Sequence, residues 1–196
     1  MFTFETIKRR LRDKKVGIAG SGGLGSNCAV ALARVGVGNL VITDFDVVDQ
    51  SNLNRQYFFF DQIGKKKVVA LAENIKRINP AIQIEAHDIK LDENSIVNLF
   101  RECDIIVEAF DSAAMKQMLI ETVLLNFPEK YLVVGTGLAG WGNNNKISQL
   151  SFDKMILCGD FESEVSEHNP PLAPRVGIVS NMQANAVLEI FLGKDR

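Results

Sequence analysis

The sequence contains no C-x-x-C pair. Its three cysteines, Cys28, Cys103 and Cys158, are odd in number and far apart. That excludes a disulfide framework and leaves a zinc knuckle without ligands. No apolar run approaches the ~20 residues needed to span a bilayer. The opening stretch MFTFETIKRRLRDKK lacks the apolar centre and cleavage pattern of a secretory signal. Charge of one sign is also missing: 22 Lys and Arg stand against 24 Asp and Glu, for a net charge of −2. A broad basic face for nucleic acid is therefore not to be expected. There is no internal repeat and no low-complexity tract. The expectation is a cytoplasmic chain with no membrane segment, folding as one domain over 1–196. A chain of 196 residues buries roughly 70% of its unfolded surface, enough for a core without staples.

What is present is an alternation of two periods. KKVGIAG (14–20) is a short apolar run ending in glycine, which reads as a buried parallel strand. GLGSNCAVALARVG (23–36) reads as a helix that Gly36 stops. NLVITDFD, AIQIEAHD, DIIVEAFD and KYLVVGTG read as further strands. Between them lie helical segments over 64–80, 93–103 and 112–127. This rhythm predicts a Rossmann-like, doubly wound, mostly parallel α/β sheet. After Gly140 the rhythm changes. NKISQLSF and KMILCGD read as antiparallel C-terminal strands, SEVSEHNPPLAP as an irregular loop, and RVGIVSNMQANAVLEIFLG as a closing helix.

Gly20, Gly22 and Gly25 match G-x-G-x-x-G between a strand and a helix. Such a turn lets phosphate approach backbone N–H groups at the positive end of a helix. Asp44 lies about 20 residues further on, at a strand end, where a carboxylate can accept ribose hydroxyls. To this point NAD and ATP fit equally. The following loop departs from a simple diphosphate site. It carries Asn52, Arg55 and Gln56, and Lys67 opens the next helix. The planar fork of Arg55 suits phosphate oxygens. Two extra cations imply a triphosphate, or a phosphorus whose transition-state charge must be stabilised. Asp111 is expected to end the fourth strand beside the crevice. There it either holds Mg²⁺ against phosphates or caps the helix starting at Ser112.

The motifs GSGGLGSN, DFDVVDQSNLNRQ, INP, AFD and RVGIVSNMQA resemble the superfamily of ubiquitin-activating-type adenylyltransferases, and within it the short branch of the ThiF family. The resemblance covers nearly the whole chain. It implies Mg-ATP-dependent adenylation of the C-terminal glycine carboxylate of a ubiquitin-like sulfur carrier protein, with release of pyrophosphate, in thiamine (thiazole) biosynthesis. Family members usually act as homodimers. The resemblance places the phosphate turn on Gly20, Gly22, Gly23, Leu24 and Gly25, and the ribose aspartate on Asp44 with Asp46 nearby. Phosphate and transition-state contacts fall on Asn52, Arg55, Gln56 and Lys67, and the magnesium ligand on Asp111. The catalytic set is then Arg55, Lys67 and Asp111. The partner implied is a carrier ending in Gly-Gly.

The chain also departs from its relatives. It lacks the paired C-x-x-C zinc ligands, so no zinc is expected. Cys158 is the cysteine nearest the crossover loop and the candidate for a covalent step, against a plain structural role. Arg9, Arg10 and Arg12 are candidates to reach across a dimer, against a solvated basic helix face. His168 is expected as a hydrogen-bonding loop residue. Trp141 is expected to line a channel for a partner's tail or to pack as a hinge. The same residues would adenylate other carboxylates: a molybdopterin sulfur carrier, a peptide, or a tRNA-linked threonylcarbamoyl adenosine. The low basic charge argues against tRNA. From another class, an NAD-dependent dehydrogenase would need a catalytic domain for which 196 residues leave no room.

Overall fold

The apolar runs become the interior of a seven-stranded sheet. A computed structural model describes residues 3–193. In chain order the elements are α1 (Phe4–Leu11), β1 (Lys15–Ala19), α2 (Gly23–Val35), β2 (Asn39–Asp44), α3 (Lys67–Ile78), β3 (Gln83–Asp88), α4 (Glu93–Phe100), β4 (Ile105–Glu108), α5 (Ala113–Asn126), β5 (Tyr131–Thr136), β6 (Ser148–Phe152), β7 (Met155–Gly159) and α6 (Ala173–Leu192). Single 3₁₀ turns span Gln50–Asn52, Phe60–Gln62 and Asn144–Lys146.

Strand order is β3-β2-β1-β4-β5-β7-β6. β1 is the hinge of this order: it pairs in parallel with β2 on one side and β4 on the other. The chain thus winds outward in one direction through β3, then in the other from β4. Ligands in such sheets bind at this reversal, outside the carboxyl ends of the strands. β7 runs parallel to β5, and among the described strands only β6 runs antiparallel, on the outer edge.

β1, β2, β4 and β5 are almost wholly buried, as expected of strands covered on both faces. Alternate residues point to opposite layers. Val16 and Ile18 of β1 join α2, α3 and α6 on one face. Ala19, with Val41 and Ile106 of the neighbouring strands, joins α4 and α5 on the other. Phe100 at the end of α4 is fully buried; truncating such a ring to alanine costs ~3–5 kcal/mol.

Local signals set the helix ends. Gly36 stops α2 at φ 98°, donating its N–H to the carbonyls of the last turn. Asp92 caps α4 by accepting the Ser95 N–H at 2.8 Å. Thr3 and Thr6 form a reciprocal cap that starts α1. α1 ends at the amino-terminal ends of β1 and β2, where the Gly38 N–H donates to the Leu11 carbonyl. Among the described residues, no helix is long and apolar enough to cross a membrane.

Candidate functional site

A cavity of about 840 Å³ opens at the carboxyl ends of β1, β2, β4 and β5. The glycine turn forms its floor. Gly20 turns at φ 100°, and a Cβ on Gly25 would lie 1.8 Å from the Gly20 carbonyl oxygen. Gly25 is therefore needed for close packing of turn on helix, and it stands behind the cavity wall. Gly20, Gly22, Gly23 and Leu24 line the cavity itself. No side chain caps α2. Its first-turn N–H groups, which a helix cannot pair internally, face outward with the positive end of the dipole.

The Asp44 carboxylate is fixed from two sides. Oδ2 accepts the Ser21 N–H at 2.7 Å, and Oδ1 accepts the Asp46 N–H at 2.9 Å. The acidic strand end is thereby tied to the glycine turn. Asp46 in turn pairs with Lys67 at 2.7 Å. Lys67 is buried, while half of the Asp46 side chain is exposed. Arg55 lines the cavity; its Nη1 donates to the Ser51 carbonyl and to Asn54 Oδ1. Gln56 is buried beside it, and its Oε1 accepts no hydrogen bond from the described residues.

Asn52 is placed differently from the sequence expectation. It lies outside the cavity lining, and its Oδ1 accepts the Asp49 N–H at 3.0 Å. The backbone carbonyl of Asn52 accepts from both Arg55 and Gln56. Its place is to shape the loop that presents those two residues. Asp111 also differs. β4 ends at Glu108, so Asp111 sits in the following turn on the cavity wall. The helix-capping alternative for Asp111 is corrected, because Ser112 is the cap of α5.

One cavity-wall group was not anticipated. Lys116 of α5 lines the cavity and is bonded to Glu108, which is completely buried at the end of β4. A glutamate inside an otherwise apolar strand, with a lysine in the next helix, was the available signal. Behind the cavity and outside its lining, the fully buried Gln183 of α6 donates to the Glu108 carbonyl at 2.8 Å.

A second cavity of about 400 Å³ adjoins the first, and Ser163 lines both. Arg175 and Asp160 form a buried ion pair on its wall. Trp141 stands at its rim and is 73% exposed, which rules out packing as a hinge. His168 is exposed and makes no hydrogen bond among the described residues; Asn169 bonds the loop instead, to the Glu164 carbonyl. Cys158 lies buried within β7, outside the crossover loop, and burial pushes its thiol up to about 12. Such a thiol is inert as a nucleophile near neutrality. Cys28 and Cys103 are buried as well.

Comparison with known proteins agrees with this architecture. The Caenorhabditis briggsae protein named adenylyltransferase and sulfurtransferase MOCS3 is 32% identical over 192 residues, covering 93% of this chain and 47% of that protein. The Mycobacterium tuberculosis protein named probable adenylyltransferase/sulfurtransferase MoeZ is 35% identical over 119 residues, covering 60% of this chain and 30% of that protein. The chain thus spans less than half the length of these curated relatives. Among solved structures, E. coli tRNA N6-threonylcarbamoyladenosine dehydratase TcdA, in complex with ATP, superposes with a TM-score of 0.86 at 21% identity. That match covers 96% of this chain and 89% of the other. At this identity the likeness establishes the fold. The ThiF family model matches residues 2–196, and the chain belongs to the ThiF family.

Proposed function

We propose that the protein uses Mg-ATP to adenylate the C-terminal glycine carboxylate of a ubiquitin-like sulfur carrier protein. The observation that carries this reading is the gathering of Asp44, Arg55, Lys67, Asp111 and the open amides of α2 around one cavity. In this reading Asp44 accepts the ribose hydroxyls. The α2 amides, Arg55 and Lys67 take the phosphates. The second cavity, entered past Trp141, receives the carrier's extended tail and delivers its carboxylate past Ser163.

The carboxylate oxygen attacks the α-phosphorus in line. The bond from that phosphorus to the bridging oxygen breaks, and the electron pair leaves with pyrophosphate. The nucleophile is already anionic, so no general base is needed. The protein's contribution is positioning, and neutralisation of charge that grows in the transition state. Lys67 would release Asp46 as the phosphates arrive, since Asp46 is exposed enough to be resolvated by water.

The site fits a magnesium ion of one kind only. Asp111 has no hydrogen bond or ion pair among the described residues, and no three acidic, His or Cys side chains cluster as a cage. Asp111 alone would anchor the ion, with phosphates and water supplying the other ligands. When bound, the ion would offset phosphate charge.

The exposed Arg9 and Arg10 lie on α1, with Arg12 just after it, at the opposite end of the sheet from the cavity. An arginine from there reaches a site only in a second copy, which is the homodimer we propose. The carrier is placed in thiazole formation on the motif resemblance. The names of MoeZ and MOCS3 support the broader class of adenylyltransferase.

The test is ATP–pyrophosphate exchange with and without a sulfur carrier ending in Gly-Gly. Exchange only with the carrier, abolished by Arg55→Ala in a folded protein, is the expected result. Exchange without any carrier, or exchange untouched by Arg55→Ala, would overturn it. The name of TcdA, a tRNA N6-threonylcarbamoyladenosine dehydratase, suggests a second reading, a tRNA-linked carboxylate. Exchange driven by modified tRNA in place of the carrier would select that one.

A further inference from the structure

β4 is apolar up to its last residue, Glu108, whose side chain is fully buried. Burial pushes this carboxyl toward its neutral form, against the opposing pull of Lys116 and of the Phe110 N–H. An apolar side chain of the same volume would avoid that cost. The carboxylate does what an apolar group cannot. Oε1 accepts the Phe110 N–H at 2.7 Å, and Oε2 accepts Lys116 Nζ. Lys116 Nζ also donates to the Gly135 carbonyl at 2.7 Å, which ties it to β5. One buried group therefore clasps the turn 109–112 both inside it, at Phe110, and beyond it, at Lys116. Asp111 lies within the clasp, on the cavity wall, with no partner of its own among the described residues.

We propose that Glu108 is a positioning residue: with Lys116 it fixes the 109–112 turn so that the Asp111 carboxylate is held ready for a phosphate-bound divalent cation. This rests on the Mg-ATP reading given above. Glu108 does not reach the nucleotide. It acts through the turn, and Lys116 serves as its counter-ion and as the tether to β5.

Calorimetric titration of the whole chain with ATP, in EDTA and then in Mg²⁺, tests this. The quantity of interest is the gain in affinity that the metal brings. Glu108→Gln keeps an acceptor for Phe110 but loses the charge that holds Lys116. Its metal gain is expected to fall about tenfold or more, as for other groups that orient a metal ligand. ATP affinity in EDTA should stay within about threefold of native, because the glycine turn and Arg55 are untouched. Asp111→Asn should lose the same gain, and the double variant should lose no more. Lys116→Arg should retain it. Should Glu108→Gln fail to fold, Glu108→Asp keeps the charge but is too short to hold both donors, and the same fall is expected. An undiminished metal gain in the Glu108 variants, or additive losses in the double variant, overturns the inference alone. A native protein that binds no ATP in either buffer overturns the nucleotide reading as well.

Discussion

Two acid–base pairs stand on the walls of the adjoining cavities, and they differ in what they can release. Lys67 and Asp46 meet at 2.7 Å, but the Asp46 side chain is 50% exposed. Arg175 and Asp160 are buried together, and Asp160 Oδ1 also takes the N–H groups of Glu162 and Ser163 and the Ser163 hydroxyl. The Arg175 guanidinium also donates to the Gly142 carbonyl. The first pair can open to an arriving anion, because water replaces the lysine at the exposed Asp46 and the anion takes over the buried Lys67. The second cannot, because opening would strand charge buried on both sides. In the proposed reaction one cation is held in reserve for the phosphates, and the other is built into the wall.

The hardest test of this contrast is Arg175→Met. It leaves Asp160 buried without its counter-ion, and stability should fall by ~3–5 kcal/mol in urea denaturation. An unchanged midpoint would erase the distinction. Lys67→Met should do the reverse. Exchange should fall by about 10²–10³, as on losing one transition-state donor, while the urea midpoint shifts far less than for Arg175→Met.

Acid sharpens the same comparison. Burial works to raise the Asp160 carboxyl, but the Ser163 and Glu162 amides, the Ser163 hydroxyl and Arg175 outweigh it and hold it below the usual range. The unfolded chain therefore binds that proton more readily. The stabilisation is complete above the unfolded value of about 3.9 and is lost as pH falls through the folded one. Asp160→Asn should thus be less stable than native at neutral pH, with the gap narrowing below about pH 4. A gap that stayed constant down to strong acid would mean that the Asp160 charge contributes nothing. The smallest effect is expected at Cys158. Cys158→Ala should cost about 1 kcal/mol of stability through lost packing and leave exchange at its native rate. Loss of exchange would return Cys158 to the chemistry.

Those contrasts follow the distance over which each pair is encoded. The places of the glycine turn, Asp44 and Lys67 were legible because each is tied to a strand end or a helix start, and that of Arg55 because it stands in the loop between them. Strand and helix periods likewise carried the sheet order's two halves. Asp160–Arg175 and Glu108–Lys116 were not legible. Their partners are brought together by the packing of α6 and α5 on strand ends, and no spacing rule announces that. Asn52 lies outside the lining for a subtler reason. It shares a polar loop with Arg55, and composition does not say which side chains turn inward to bond their own backbone. Asp111 moved because β4 stops early, at the buried Glu108, and the turn absorbs the rest. α1 went unread as a helix packed on the body, since its basic residues suggested a reach across a dimer or a solvated face.

The packing of α6 against α2 has a consequence for biosynthesis. These helices stand at opposite ends of the described chain, yet α6 supplies the buried Val176, Val179 and Val187 to the core that α2 joins. A growing chain therefore makes the glycine turn early and leaves one flank of α2 uncovered until α6 has emerged. At ordinary synthesis speeds that interval is on the order of ten seconds. During it the greasy side of α2 is open to chaperones, proteases and other nascent chains. A chain cut short before α6 would carry the glycine turn but lack Val176, Val179 and Val187 from the core behind it.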